Sequence, residues 1–443
     1  MMQRNPTHDP LVKSWLESAN TGGTDFPIQN LPFAVLRRSA SDEAFRGAVA
    51  IGDQVLDLTA LSQTGLLQGL AQQACLACAQ PTLNAFMAMG QSAWTALRHA
   101  LFALLRADSP PAVQAELLRC LLPQSAVEYA LPAQIANYTD FYTSIHHARN
   151  VGHIAKPNDS DPLTPNFQWL PIAYHGRASS VVVSGTPFHR PMGQMMPPGA
   201  SAPVYGPCAR LDYELELGIC IGPGNPLGQP IPLAQADEHI FGVCLLNDWS
   251  ARDIQFWEML PLGPFSGKNF CTTVSPWVVS LEALAPYRLP FTRPANEPQP
   301  LPYLDDATHR ASGVLDIQLD VLLETSQQRA TAQAPTRLSH TSFKHQYWTF
   351  AQMVAQHTLG GCNLQSGDLL GSGTISGPTD GEQGAMIELS QAGRAPVTLP
   401  NGEQRGFLHD GDAVILKGWC EAPGAVRIGF GECRGEVLGV RGG

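Results

Sequence analysis

From about Tyr138 onward the chain is built of short β-rich runs cut apart by glycine and proline. This punctuation limits the fold more than any other feature. The runs fall at residues 180–184, 211–221, 273–280, 315–323, 368–372, 385–389, 413–416 and 425–428. They do not alternate with helical patterns of crossover length, so the reading is an irregular, mainly β body rather than a series of βαβ units. Residues 347–360 are the main helical interruption, and the Pro-rich 287–303 and polar 327–340 read as loops. The chain holds 41 Gly and 37 Pro with no period, which fits many turns and excludes collagen.

The 443 residues allow roughly two or three domains. Residues 1–130 read as a separate small β-containing unit with helices, and residues 131–443 as the larger β body. In the first unit 33–36 and 48–58 look like strands, the latter turning at Gly52-Asp53. Phe86, Met89, Ala93, Leu97, Leu101 and Leu104 recur at three- and four-residue steps and predict one helix. Val113, Leu117 and Leu121 predict a second, shorter one.

Composition removes several classes of function. No run of 18 apolar residues exists, so a membrane span is not expected. The start lacks a basic segment followed by an apolar one, so a secretory signal is not expected either. The net charge of −11, without a Lys/Arg cluster, disfavours a nucleic-acid partner, because such binding needs cations to displace counterions from phosphate. Charged residues are only 15%, which suits a large or oligomeric globule. Ten cysteines are scattered, with one C-x-x-C (Cys75, Cys78) and no second pair at zinc-ribbon spacing; they read as reduced, partly buried thiols of a cytoplasmic protein. The P-loop, nucleophile-elbow and H-E-x-x-H patterns are absent from the sequence.

The acids are less ordinary. Residues 211–217 alternate strictly, so on a strand Leu211, Tyr213, Leu215 and Leu217 face one way and Asp212, Glu214 and Glu216 the other. Three acids stacked on one face repel unless they are solvated or bound to a cation. A solvated outer face is the plain reading of that segment taken alone. Residues 138–147 add Asp140, Tyr142 and a histidine pair, and the apolar 241–246 leads into Asn247-Asp248. After it 249–255 fits a helical turn with Asp248, Arg252 and Gln255 on one face, where Asp248 could be a helix cap or a ligand. If Asp140, Glu214, Glu216 and Asp248 converge, they cannot all stay ionised without a counter-cation. An all-oxygen set suits Ca²⁺ or Mg²⁺, and spacing does not choose between them.

Long strings then carry a resemblance. TDFYTSIHHARNVG (139–152), LPIAYHGRASSVVVSGTPFHRPMGQ (170–194), LDYELELG (211–218), LLNDWSARDIQFWE (245–258), LPLGPFSGKNFCTTVSPWVV (260–279), GCNLQSGDLLGSGTISGP (361–378), FLHDGDAVILKGWC (407–420) and RIGFGEC (427–433) closely resemble the fumarylacetoacetate hydrolase family. The match is dense and in order over about 130–440, and looser before it, around DFPIQNLPF (25–33). The resemblance implies a homodimeric cytoplasmic enzyme with a small N-terminal β-barrel domain and a larger C-terminal β-roll. It implies hydrolysis of a carbon–carbon bond in 4-fumarylacetoacetate, giving fumarate and acetoacetate, the last step of tyrosine and phenylalanine breakdown.

By the same resemblance Asp140, Glu214, Glu216 and Asp248 hold Ca²⁺ or Mg²⁺, with Lys268 and Thr272 at a second cation position. His147 matches the catalytic base and Glu388 its carboxylate partner; Arg252, Gln255 and Lys268 match groups around the leaving fragment. Tyr142, Tyr174 and Thr374 match substrate contacts. Two substrate contacts depart from the pattern: an arginine is Lys156 here, and a tyrosine is Met259. The first keeps the charge but loses a bidentate fork to a carboxylate, and the second removes a hydroxyl donor. Without the resemblance, Glu388 reads as an ordinary strand acid, Arg252 and Lys268 as surface cations, and His146 as a structural or surface residue. The alternatives are a same-fold enzyme acting on another β-diketone or 2-oxo acid, and a non-catalytic Ca²⁺-binding module. The second gives no reason for His147, Arg252, Gln255 and Lys268 to accompany the acids.

Overall fold

The computed structural model describes residues 3–441. Strands β1 (Phe33–Arg38), β2 (Arg46–Ile51) and β3 (Gln54–Asp57) lead into helices α1 (Leu58–Ser62), α2 (Gly69–Cys78), α3 (Asn84–Met87), α4 (Gln91–Leu105) and α5 (Pro111–Leu118), then into β4 (Leu121–Pro123) and β5 (Val127–Ala130). The five strands form one antiparallel sheet in the order β4-β3-β2-β1-β5. The expected hairpin turns at Gly52-Asp53, where Ile51 pairs with Gln54. The single helix expected from Phe86 to Leu104 is instead two, because Gly90 takes a φ of +80° and breaks the ladder between α3 and α4. Burial follows the periodicity all the same: Phe86 of α3 and Ala93, Leu97 and Leu101 of α4 enter one core. Leu121 begins β4 and is not helical.

The rest of the chain is organised around two sheets. Its elements are β6 (Tyr138–Tyr142), α6 (Ile145–Ala155), β7 (Ile172–His175), β8 (Val181–Val183), β9 (Phe188–His189), β10 (Leu215–Ile221), β11 (Ile240–Asp248), α7 (Arg252–Glu258), β12 (Thr272–Val274), β13 (Gln318–Glu324), β14 (Thr336–Ser342), α8 (Phe350–Thr358), β15 (Leu369–Gly371), α9 (Met386–Leu389), β16 (Ala413–Cys420) and β17 (Ile428–Leu438). The central mixed sheet runs β7-β6-β15-β10-β11-β12-β8, with Val279–Ser280 also paired to β11. The second sheet runs β14-β13-β16-β17-β9. Mixed sheets with helices on their margins make the protein mainly β.

Several segments differ from expectation, among them 273–280, which splits into Thr272–Val274 and Val279–Ser280, and 287–303, read as a loop, which contains the short strand Arg288–Leu289. Residues 385–389 hold the helical turn α9 rather than a strand. The polar stretch 327–340, read as a loop, contains most of the helix Ser326–Ala330 and the start of β14. Residues 425–427 are irregular chain leading into β17, and the long 211–221 run breaks after Asp212, where Leu211–Asp212 pairs with Ser250–Ala251 instead of continuing the central sheet.

The central sheet is buried on both faces. Leu211, Tyr213, Leu215, Leu217 and Ile219 lie in one cluster with Trp249 and Trp348, as the alternation requires. Cys220, Phe241, Cys244, Leu246 and Leu369 point to the other side, into the cluster that fills the N-terminal helices. Phe241 sits there among three aromatic rings, with centroids 5.6 Å from Phe33, 5.4 Å from Phe86 and 5.3 Å from Trp94. Each such pair contributes about 0.5–1.5 kcal/mol beyond area burial. Double-sided burial explains why 241–246 reads as an unbroken apolar run. Among the described residues no helix is long and apolar enough to cross a membrane. The ten cysteines are free thiols, all buried except Cys362.

Candidate active site

Neighbouring strands of the central sheet bring the four acids to one place. Asp140 lies on β6, paired with Tyr174 of β7 and Gly371 of β15; Glu216 lies on β10 and Asp248 ends β11, opposite Thr272 of β12. Glu214 precedes β10 at the break and bridges to Ala385. One carboxylate oxygen from each acid lies within 4.8 Å of the others. All four are buried, which overturns the solvated-face reading of Glu214 and Glu216.

The third acid of that alternation has another task. Asp212 is fully buried and apart from the cluster; it accepts from Arg252 Nε at 2.9 Å and from the backbone N–H groups of Met386 (2.7 Å) and Ile387 (3.0 Å). It therefore holds the first turn of α9 and fixes Arg252. Sequence alone did not single Asp212 out, because its alternation is the same as that of Glu214 and Glu216. Asp248 is likewise not a helix cap, since α7 begins at Arg252 after Ala251. Its carboxylate accepts from Lys268 Nζ (2.8 Å), Thr272 Oγ1 (2.9 Å) and Tyr174 Oη (3.2 Å).

Charge at the cluster is unbalanced. Arg252 is shared between Asp212 and Glu214, and Lys268 pairs with Glu214 and Asp248. Burial pushes Glu214 up, yet Lys268, Arg252 and His147 outweigh it and hold its carboxyl well below the usual range. Asp140 and Glu216 go the other way. Burial first, and then Asp248 for Asp140 and Asp140 for Glu216, push both well above ordinary values. Asp140 Oδ1 and Glu216 Oε1 are buried acceptors with no hydrogen-bond donor. Buried carboxyl oxygens without a donor, in a cluster this tight, are what a hard dication satisfies, so the donor set fits an oxygen-bound divalent ion. Lys268, as an ammonium, has no lone pair to ligate a metal and acts as a cation at the edge of the cluster.

Gly371 supplies the space. A Cβ built there would stand 2.9 Å from both Asp140 Oδ1 and Glu216 Oε2, and 3.0 Å from Tyr138 Oη. Gly371→Ala is therefore expected to weaken divalent-ion affinity about tenfold or more, equivalent to ~1.4 kcal/mol, without removing a ligand. Titration calorimetry giving an unchanged Kd would mean that the carboxylates can move aside at no cost.

A second constellation adjoins the first. Ser144 caps α6 and accepts from His147 N, fixing the first turn that carries His147. His147 Nδ1 lies 2.7 Å from Glu388 Oε2, and both residues are buried. Glu388 also accepts from Ser376 Oγ at 3.0 Å to each oxygen and from Asn150 Nδ2 at 2.8 Å. Burial raises its carboxyl, but the charge of His147 and the hydrogen bonds from His147, Asn150 and Ser376 prevail and hold it below its ordinary value. Asn150 and Ser376 were not picked out from the sequence. Asn150 follows His147 by three residues, one turn along α6, and that spacing was the available signal.

Tyr142, two residues after Asp140 on β6 and so on the same face, stands edge-on to the His147 ring with centroids 5.5 Å apart. Thr374 is buried in the loop between Gly373, whose N–H donates to Glu216 at 3.0 Å, and Ser376. That loop joins the two constellations. Gln255, half-buried on α7, accepts from Arg252 Nη1 at 3.1 Å, while the buried Arg252 Nη2 has no partner. Met259 is half-buried at the C-terminus of α7. Lys156 caps the far end of α6, exposed and in no ion pair among the described residues. Nine residues separate it from His147, roughly 13 Å along a helix axis.

Similarity to known proteins defines a hydrolase class. The model described as "Fumarylacetoacetate (FAA) hydrolase C-terminal" matches residues 136–438, and "Fumarylacetoacetase N-terminal" matches 29–132. The chain belongs to the fumarylacetoacetate hydrolase family. Proteins named fumarylacetoacetase are similar over nearly their whole length. That of Homo sapiens is 49% identical over 94% of this chain and 96% of its own. That of Oryza sativa subsp. japonica is 47% identical over 96% and 97%, and that of Caenorhabditis elegans 49% over 94% and 97%. A solved fumarylacetoacetate hydrolase from psychrophilic Exiguobacterium antarcticum aligns with a TM-score of 0.49 at 16% identity, over 92% of this chain and 99% of that one.

Proposed function

We propose that this protein hydrolyses the carbon–carbon bond of 4-fumarylacetoacetate to fumarate and acetoacetate, as the last step of tyrosine and phenylalanine breakdown. The observation that carries the reading is the buried His147–Glu388 pair beside a four-carboxylate cluster, in a chain alike along its length to fumarylacetoacetases.

Hydrolysis of a 1,3-diketone needs an activated water and a departing carbon stabilised as an enolate. His147 Nε2 takes the proton from water. Glu388, at Nδ1, orients the ring and stabilises the imidazolium that forms. A positioned base of this kind contributes about 10²–10⁴-fold. Arg252, Gln255 and Lys268 donate to the oxygen on which charge develops; the unpartnered Nη2 of Arg252 supports that role, and one such donor is worth roughly 3–4 kcal/mol. Tyr142, Tyr174 and Thr374 line the diketone, and Met259 is a further substrate contact. Asp140, Glu214, Glu216 and Asp248 would hold a Ca²⁺ or Mg²⁺, with Lys268 and Thr272 at a second cation position, and the ion would supply Lewis-acid stabilisation of enolate charge.

The finer architecture we propose is an N-terminal barrel-like domain over residues 1–130 and a catalytic β-roll over 131–443. The five-stranded N-terminal sheet and the limits of the two family matches, 132 and 136, support it. A homodimer is supported by large apolar side chains exposed at Phe256, Trp257, Leu260, Leu262 and Phe265, which a subunit contact would cover. Free thiols support a cytoplasmic location. A small-molecule β-diketone is the partner, with no part for nucleic acid or membrane.

The test is loss of diketone absorbance on mixing the protein with 4-fumarylacetoacetate and Ca²⁺ or Mg²⁺. Turnover that stops on chelation is expected. Absence of turnover with both ions present overturns the reading.

A further inference from the structure

4-Fumarylacetoacetate carries a carboxylate at each end and its diketone in the middle. With the diketone against the acid cluster, at least one carboxylate must extend outward past its rim. Lys156, the cation that the sequence offers for this task, stands roughly 13 Å along α6 from His147. Another cation occupies the rim. A cavity of about 190 Å³ reaches the edge of the cluster at Asp248, with Lys268, Tyr138 and Tyr174 also in its walls and Arg177 among the residues that close it. Arg177 also borders a wider cleft of about 460 Å³ beside it, so this residue stands between the inner cavity and that cleft.

The local chain is built to put it there. Gly176 donates its N–H to Tyr138 O at 2.8 Å, and a Cβ at Gly176 would fall 2.3 Å from the Tyr138 ring. Only a bare backbone lets the chain pass this close over Tyr138 and carry Arg177 to the cavity directly after Tyr174. Arg177 Nε then donates to Ser179 Oγ at 2.8 Å. That contact fixes the guanidinium through one nitrogen and leaves both terminal nitrogens for a ligand. Among the described residues Arg177 has no carboxylate partner, unlike Arg252. Phe265 and Pro264 add an apolar wall to the cavity, which suits the hydrocarbon between diketone and carboxylate.

We propose that Arg177 is a specificity-determining residue that binds one terminal carboxylate of the substrate in a forked pair of hydrogen bonds. The inference rests on the assignment of a doubly charged β-diketone acid as substrate. It departs from the sequence resemblance, which gives the carboxylate contacts to positions 156 and 259. An arginine fork suits a carboxylate better than a lysine does.

The experiment compares the parent protein with Arg177→Gln and Arg177→Lys, with Ca²⁺ or Mg²⁺ present. Arg177→Gln is expected to raise KM for 4-fumarylacetoacetate about 10- to 100-fold with kcat within about twofold, the pattern of lost binding common to ground and transition states. Arg177→Lys is expected to recover part of the loss. Product inhibition identifies the end that is bound: the inhibition constant of either fumarate or acetoacetate, not both, should rise by about tenfold or more. A parent that does not turn over 4-fumarylacetoacetate removes the substrate assignment itself. A parent that does, beside an Arg177→Gln variant with the parent's KM and both inhibition constants unchanged, removes Arg177 alone. A variant whose kcat falls while KM stays also overturns the proposal.

Discussion

Replacing His147 by alanine will reduce kcat on 4-fumarylacetoacetate by about 10²–10⁴-fold while divalent-ion affinity stays close to the parent's. The separation follows from geometry. His147 is tied to Glu388, Ser144 and the edge of Tyr142 and gives no atom to the acid cluster. Its removal strips the water of its base and leaves the oxygen donors in place. Glu388→Gln should cost nearly as much, because an amide in that position can hold the ring but cannot stabilise the imidazolium. Stopped-flow kinetics paired with titration calorimetry read the two quantities independently. Turnover near the parent's in His147→Ala would remove the histidine from the mechanism. Loss of metal binding together with turnover would mean that the two constellations are one structural unit.

Asp248→Ala will lose metal and activity together. Changes outside the ligand shell already cost roughly 10–100-fold in affinity at metal sites, so removing a ligand should cost about 100-fold or more. A pH effect goes with it. In the metal-free protein Asp140 and Glu216 titrate above their ordinary values, through burial and then neighbouring carboxylates. The folded state therefore holds these protons more tightly than the unfolded chain does. Their contribution to stability is present below about pH 4 and is lost as pH rises through the raised values. A bound dication removes that penalty. The rise in Tm on adding Ca²⁺ or Mg²⁺ should accordingly be larger at pH 7 than at pH 5, and should grow with the logarithm of ion concentration. Calorimetric scans of chelator-stripped protein check this; equal shifts at the two pH values would mean that the acids are not ionised together at the site.

The parts of this site that could be read from sequence are those governed by strand periodicity. Alternation places Leu211, Tyr213, Leu215 and Leu217 in one core, and the apolar run before Asp248 is a strand that ends at the acid cluster. Residues placed by long-range contacts were harder. Residues 385–389 form a short apolar run that suits either strand or helix, and only the N–H groups of Met386 and Ile387 meeting Asp212 select the helix. Asp212 shares its pattern with Glu214 and Glu216, and separates from them because the strand breaks at Tyr213 and the short piece pairs with Ser250–Ala251. The same limit applies to the N-terminal helices: periodicity reports which side chains are buried, whereas a single glycine with positive φ decides whether one helix or two bury them.

The packing of Phe241 among Phe33, Phe86 and Trp94 reaches beyond stability. The strand bearing this ring also ends in Asp248, so the N-terminal region braces the far end of a strand that carries one of the clustered acids. A shortened protein beginning near residue 131 would expose a greasy flank made of Phe241, Cys244, Leu246 and Leu369. It would be recovered as aggregate rather than as a smaller working enzyme.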